Sequence, residues 1–239
     1  MSTSSAIAPS PVETPFESRV GVYAVQATPN WNLDIVDGTR DGEYTYPDGA
    51  TGVGVDVYVV DTGVYVDHPD FAGRAITGKN FASNDACNYE SVRYTKWDGH
   101  GTHVAGTIGS QSYGIAKDIR IIDVRVLDNC GFGDTDLAAR ALRWVIRHHK
   151  STRVAIVNMS LGAPADSSTV VLENATRALL KDNIIPVVAA GNESSDACDS
   201  SPAKVTDAIT VGALRTDGTD YFMTSYSNFG ECVDLLAPG

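Results

Sequence analysis

A mostly parallel α/β sheet with helices on both faces is the fold class this chain predicts. Three observations carry it. Short runs rich in valine and isoleucine recur along the chain, and amphipathic segments of helical length lie between them. Several of the runs end in short polar or glycine-rich segments: Asp61-Thr62-Gly63, Ser160-Leu161-Gly162 and Gly191-Asn192-Glu193. Near-continuous apolar strands need cover on both faces, which crossover helices supply. In such sheets functional groups collect at the carboxyl ends of the strands.

Residues 1–27 read as a tail or linker, with Pro9, Pro11 and Pro15 interrupting any helix. Residues 28–239 read as one unit without repeats. Val55 to Val60 is the first strand and ends at Asp61. Ile119 to Leu127, Val154 to Leu161, Ile184 to Ala190 and Ala208 to Leu214 are the next four. Small residues at Gly101, Thr102, Ala105, Gly106 and Gly109 suit a helix packed tightly inside the protein, with His100 near its start. Asp134 to Lys150 predicts a helix that Asp134, Thr135 or Asp136 can cap, with Leu137, Ala141, Leu142, Val145 and Ile146 on one face. Ser167 to Asp182 predicts another, its apolar positions being Val170, Val171, Leu172, Ala175, Leu179 and Leu180.

Composition narrows the partners. Of the 239 residues, 18 are Lys or Arg and 30 Asp or Glu, a net charge of −12. That acidity argues against nucleic acid or an anionic membrane, because both attract a positive field. No apolar run approaches the ~20 residues of a membrane span. The first fifteen residues lack the apolar centre of a secretory signal. Four cysteines, Cys87, Cys130, Cys198 and Cys232, fit two disulfides and an oxidising compartment, and also fit four separate thiols. No Cys-x-x-Cys pair is present to suggest a zinc knuckle.

Three segments carry candidate chemistry. Asp61 ends a buried strand, where a carboxylate costs free energy unless it is paired. An imidazole is its natural partner, and Asp98-Gly99-His100-Gly101-Thr102-His103 offers one. Asn192 follows a strand with a side-chain amide able to donate to a developing oxyanion. His100 and His103 are also spaced for a metal pair, but no Glu or Cys ligand lies near them. A dinucleotide site is excluded because Gly52-Val53-Gly54 precedes its strand instead of following it.

These segments, in this order, resemble the subtilase family of serine proteases, nearest to its proteinase K and aqualysin branch. The resemblance covers roughly residues 28–239. It is supported by Tyr113-Gly114-Ile115-Ala116, Val124-Arg125-Val126-Leu127-Asp128, Asn158-Met159-Ser160-Leu161-Gly162, Ser201-Pro202-Ala203, Ser225 to Gly230 and Val233 to Gly239. It implies a subtilisin-like doubly wound fold and a serine endopeptidase. In that reading His100 is the general base, Asp61 holds its tautomer, Asn192 is the oxyanion donor and His103 is structural.

The resemblance also implies the substrate and the supports. Gly131-Phe132-Gly133 and Ser160-Leu161-Gly162 would pair with an extended polypeptide, and Ala189-Ala190-Gly191 would wall a pocket for a sizeable apolar side chain. Disulfides Cys198–Cys232 and Cys87–Cys130 are expected, although Cys87 stands next to an unfamiliar stretch, Asn88 to Trp97. Calcium would take Asp234 with the carbonyls of Thr206 and Ala208, hard oxygen ligands that suit it; Asp234 serving only as a turn cap is the alternative. No cofactor is expected for catalysis. An inhibitory propeptide is expected, with residues 1–27 as its end, and secretion follows from the family and the disulfides.

The family nucleophile, in a Gly-Thr-Ser-Met-Ala-like segment, is not found in these residues. The expectation is therefore a fragment cut at both ends, missing the buried helix that follows the serine, poorly stable and inactive alone. The alternative is a pseudoprotease that binds peptides or proteins without cutting them.

Overall fold

The structure, a computed structural model, describes residues 23–28, 31–82 and 99–239. Strand β1 (Tyr23–Ala27) pairs antiparallel with β2 (Glu43–Pro47), with the short helix α1 (Trp31–Asp34) between them in sequence. The last five residues of the expected tail are thus paired with the body of the protein. Their alternating side chains suit a ribbon, and Gln26 anchors it by donating from Nε2 to the Ser112 carbonyl at 2.8 Å.

The main sheet holds β3 (Val55–Asp61), β4 (Ala75–Asn80), β5 (Arg120–Arg125) and β6 (Val154–Met159). The two-residue β7 (Ala163–Pro164) lies outside it, followed in sequence by main-sheet strand β8 (Ile184–Ala189). A second two-residue strand, β9 (Ser200–Ser201), pairs antiparallel with β7. Then come β10 (Ile209–Thr216), β11 (Tyr221–Met223) and β12 (Leu235–Pro238). The sheet order is β11-β10-β8-β6-β3-β5-β4, with β12 also parallel to β10. Only the β10–β11 pair is antiparallel among the described strands of this sheet. Because β5 lies on one side of β3 and β6 on the other, sheet growth reverses around β3. Its carboxyl end is the position where such sheets place their sites.

Helices cover both faces, as the near-continuous apolar strands require. Helix α2 (His100–Gly109) covers one face through Ala105, against Val57, Val59 and Ile121. Helices α3 (Thr135–His148) and α4 (Val170–Lys181) cover the other, where Leu142, Val145, Leu172 and Leu179 meet Tyr58, Val60, Ile122 and Val157. Burying each such side chain contributes about 1.5–3 kcal/mol. Asp134 is the α3 cap, its side chain accepting the Asp136 amide at 2.7 Å. Val170, expected on the apolar face of α4, is 46% exposed. The helical register that turns Leu172, Ala175 and Leu179 inward leaves it outside and buries Glu173 and Thr176 instead.

At the amino end of β3, Asp56 is fully buried. It is compensated by Arg120 Nε at 3.0 Å and Arg153 Nε at 2.6 Å, both on Oδ1. At the far end of the sheet, Tyr221, Phe222, Met223, Leu235 and Leu236 are exposed.

Candidate active site

Asp61, the last residue of β3, has no solvent exposure. Its carboxylate is held by donors. Oδ1 accepts the Thr62 amide at 2.7 Å and meets His100 Nδ1, also at 2.7 Å. Oδ2 is buried with no hydrogen-bond partner among the described residues. When the Nδ1 proton faces Asp61, Nε2 is left as an acceptor, the form a general base needs.

His100 opens α2 and its side chain is 49% exposed. Gly101 allows the helix to start against the strand end. A Cβ there would lie 2.5 Å from the Gly63 carbonyl oxygen and 3.1 Å from both Cβ and Oδ1 of Asp61. Gly99, the residue before the helix, has no side chain to cap it, so the cap comes from another segment: Thr62 Oγ1 accepts the Gly101 amide at 3.1 Å. Thr102 Oγ1 accepts the Tyr65 amide at 2.9 Å, closing the same contact from the helix side. Not all the small residues of α2 are packed as expected. Gly101, Ala105 and Gly109 are buried, whereas a methyl group added at Gly106 would have nothing within 4 Å. His103 is exposed.

Asn192 follows β8 on an exposed loop, and one buried side chain organises that loop. Asn228 Oδ1 accepts the amides of Glu193 and Ser195, each at 3.0 Å, while Nδ2 donates to the Ala190 carbonyl at 3.0 Å and to Glu193 Oε2 at 2.8 Å. Glu193 Oε2 in turn accepts the Asn192 amide at 2.9 Å. Gly191, at φ +109°, lies so close that any Cβ would collide with Asn228 Nδ2 and Glu193 Oε2. Asn228 lies in the Ser225 to Gly230 run that supports the resemblance, but nothing in that run marks it as the residue that holds this loop.

Two neighbouring cavities share the wall Ser160 to Ala163. The first, about 330 Å³, is lined by Thr62 and His100 together with Gly131, Phe132 and Gly133. The second, about 430 Å³, is lined by Ala189, Ala190, Gly191 and Asn192 together with Glu193, Asp199 and Ser201. The structure therefore gathers every residue expected to touch a peptide around two adjoining hollows. The 128–133 turn is fixed by Asp128, whose Oδ1 accepts the Cys130 and Phe132 amides at 2.8 and 2.9 Å.

Cys198 and Cys232 form a disulfide. Cys130 is disulfide-bonded, and the pairing expected for it with Cys87 lies outside the described residues. Asp234 Oδ2 accepts the Thr210 amide at 2.7 Å and the Asp234 amide returns a bond to the Thr210 carbonyl, which ties the segment before β12 to β10 and does not cap a local turn. The Asp234 carboxylate and the Thr206 and Ala208 carbonyls are hard oxygen donors of the kind calcium takes, with water for its remaining positions. Among the described residues no three acidic, His or Cys side chains cluster to hold a metal.

Comparison with known proteins places this geometry. Residues 52–239 match the Subtilase family. The chain is 44% identical over 232 residues to an "Extracellular serine proteinase" of Thermus sp., covering 93% of this chain and 51% of that protein. It is 41% identical over 228 residues to "Proteinase T" of Parengyodontium album, covering 93% and 73%. The chain thus spans about half the length of the first relative and about three quarters of the second. A solved structure, "Crystal structure of a cold adapted subtilisin-like serine proteinase", superposes with a TM-score of 0.76 at 37% identity, covering 90% of this chain and 73% of that one. With its parallel sheet, its Asp–His contact at the end of the central strand and a match across most of its length, the chain belongs to the subtilase family of serine peptidases.

Proposed function

We propose that this chain carries the acid–base and oxyanion side of a serine endopeptidase site. The observation that carries the reading is the 2.7 Å contact of buried Asp61 with His100, which lines a cavity bounded by Gly131 to Gly133 and Ser160 to Ala163. Asp61 fixes the imidazole tautomer and stabilises the imidazolium. His100 Nε2 takes the proton of an attacking hydroxyl and returns it to the leaving amine. Asn192 donates to the oxyanion; losing such a donor costs roughly 10²–10³ in turnover, a magnitude that comes from a subtilisin, a relative of this protein. An extended polypeptide lies between Gly131-Phe132-Gly133 and Ser160-Leu161-Gly162, with one side chain in the hollow walled by Ala189, Ala190 and Gly191.

The 239 residues contain no Gly-Thr-Ser-x-Ala segment of the family kind, so by themselves they hold no nucleophile for this reaction. An extracellular setting is part of the reading, supported by the Cys198–Cys232 disulfide and the extracellular relative. An inhibitory propeptide belongs to it as well. So does structural calcium at Asp234 with the Thr206 and Ala208 carbonyls, which a fall in melting temperature on chelation tests.

The deciding experiment is hydrolysis of a chromogenic peptide. Residues 1–239 alone are expected to give no turnover. The same residues joined to a Gly-Thr-Ser-x-Ala segment in frame are expected to give turnover that His100→Ala abolishes. Hydrolysis that survives His100→Ala overturns the reading.

A further inference from the structure

A second carboxylate stands on the same face of the sheet as Asp61, and the reaction just described does not use it. Asp123 lies in β5, in register with Val59 of β3, so it sits diagonally beside Asp61. Strand interiors disfavour aspartate, and an apolar side chain would pack there at no electrostatic cost. Its Oδ1 instead accepts the Val64 amide at 3.1 Å. Val64 belongs to the turn that follows Asp61. That turn carries Thr62, which caps α2 at Gly101, and Tyr65, which donates to Thr102.

We propose that Asp123 is a positioning residue for the Asp61–His100 pair, holding the 62–65 turn through the Val64 amide and adding negative charge on the face toward His100. The proposal rests on the reading of that pair as the site. Burial pushes the Asp123 carboxyl up to about 6; the Val64 bond and Arg125 oppose this, and Asp61 adds to it. Among the described residues the charged neighbours on each element are these. Asp61 ends β3 and Arg125 follows two residues along β5, while Lys79 of β4 is directed at the Phe81 ring, 5.3 Å from its centroid. On α2, His100 meets Asp61, while His103 is exposed. The contribution of Asp123 therefore fades in mild acid as its carboxylate takes up a proton.

The test follows the His100 ring resonances against pH in the isotope-labelled full chain. Asp123→Asn keeps an oxygen for the Val64 amide and removes the charge; Asp123→Ala removes both. Both variants are expected to lower the midpoint of the His100 resonances by about half a unit or more, as loss of a nearby negative charge requires. Only Asp123→Ala is expected to speed hydrogen exchange at the Val64 amide, by about tenfold for the loss of one hydrogen bond. Asp61→Asn is the control. If it moves the midpoint while neither Asp123 variant does, and Val64 exchange is unchanged, the inference is overturned and the reading of the site stands. If Asp61→Asn leaves the midpoint in place, the reading of the site is overturned, and the inference with it. The near-isosteric Asp123→Asn keeps the test decisive even if Asp123→Ala fails to fold.

Discussion

Two glycines of one helix should respond oppositely to the same substitution. Alanine in place of glycine in a helix stabilises by about 0.5–1 kcal/mol where space allows. At Gly106 nothing lies within 4 Å of the new methyl group, so Gly106→Ala should show that gain. At Gly101 the methyl group would stand 2.5 Å from the Gly63 carbonyl oxygen and 3.1 Å from Asp61. Ordinary contact needs about 3.5 Å, so the helix start must retreat by about 1 Å. That retreat stretches the 2.7 Å Asp61–His100 contact beyond hydrogen-bonding range. Overpacking of this kind costs about 1–3 kcal/mol. Helix propensity nearly cancels between the two variants, so the difference between them isolates the packing cost. For a chain of this size it corresponds to roughly 3–10 °C in melting temperature. Thermal unfolding of both variants measures it, and the His100 ring resonances report the broken contact. Gly101→Ala melting with Gly106→Ala, and keeping the His100 resonances of the parent, would refute the close approach of α2 to β3.

Three further outcomes follow from other parts of the structure. Asp56→Ala strands two guanidinium groups at the amino end of β3 and should cost about 2–4 kcal/mol in urea unfolding. That is below the figure for a fully buried pair, because the Arg120 and Arg153 side chains are 34% and 31% exposed. Replacing both Cys198 and Cys232 by alanine opens a loop of 34 residues, worth about 4 kcal/mol in the chain-entropy description. A loss under about 1 kcal/mol would deny that bridge its role. Asp123 makes stability depend on pH. Its folded value of about 6 lies above the ordinary 3.8, so the fold favours the neutral form. That contribution is complete below pH 3.8 and is lost as pH rises through 6. Asp123→Asn does not titrate there, so its stability relative to the parent should climb by about 2–3 kcal/mol between pH 4 and 7. A flat difference would mean that Asp123 ionises as if in water.

The legible part of this protein is the part written in periodicity and in chemical residue types. Hydrophobic runs located β3, β5, β6, β8 and β10 to within one or two residues at each end, and past the end of β5 the Val126 and Leu127 amides both donate to the Asp61 carbonyl that ends β3. Asp61 and His100 stood out because a carboxylate at the end of an apolar strand needs a cationic or donating partner. The missed elements have no such signature. β1, β2, β11 and β12 are short and largely exposed, without the buried apolar runs of the central strands, so only their partners define them. Gly106 reads like Gly101 in the sequence, yet one faces open space and the other a carbonyl oxygen.

The residues that hold the site in place were the least visible, for a physical reason. Thr62, Thr102, Asp123, Asp128 and Asn228 all act by accepting backbone amides, mostly from distant parts of the chain. Such a bond obeys no period, since the loop it holds is irregular and its partner is the main chain, which every residue shares. Each closes a turn that would otherwise be free, with a net worth of about 0.5–1.5 kcal/mol. The buried Asp61 carboxylate, whose second oxygen has no hydrogen-bond partner among the described residues, depends on that support. Its orientation persists only while the Thr62 amide and His100 stay within reach, and both are placed by the 62–65 turn. Positional error there would be felt first as a rotated Asp61 and only afterwards as unfolding. Variants at Thr102 or Asp123 should therefore alter the His100 resonances at temperatures where the sheet is still fully folded by circular dichroism. A loss of both signals together would place the fragility in the sheet instead.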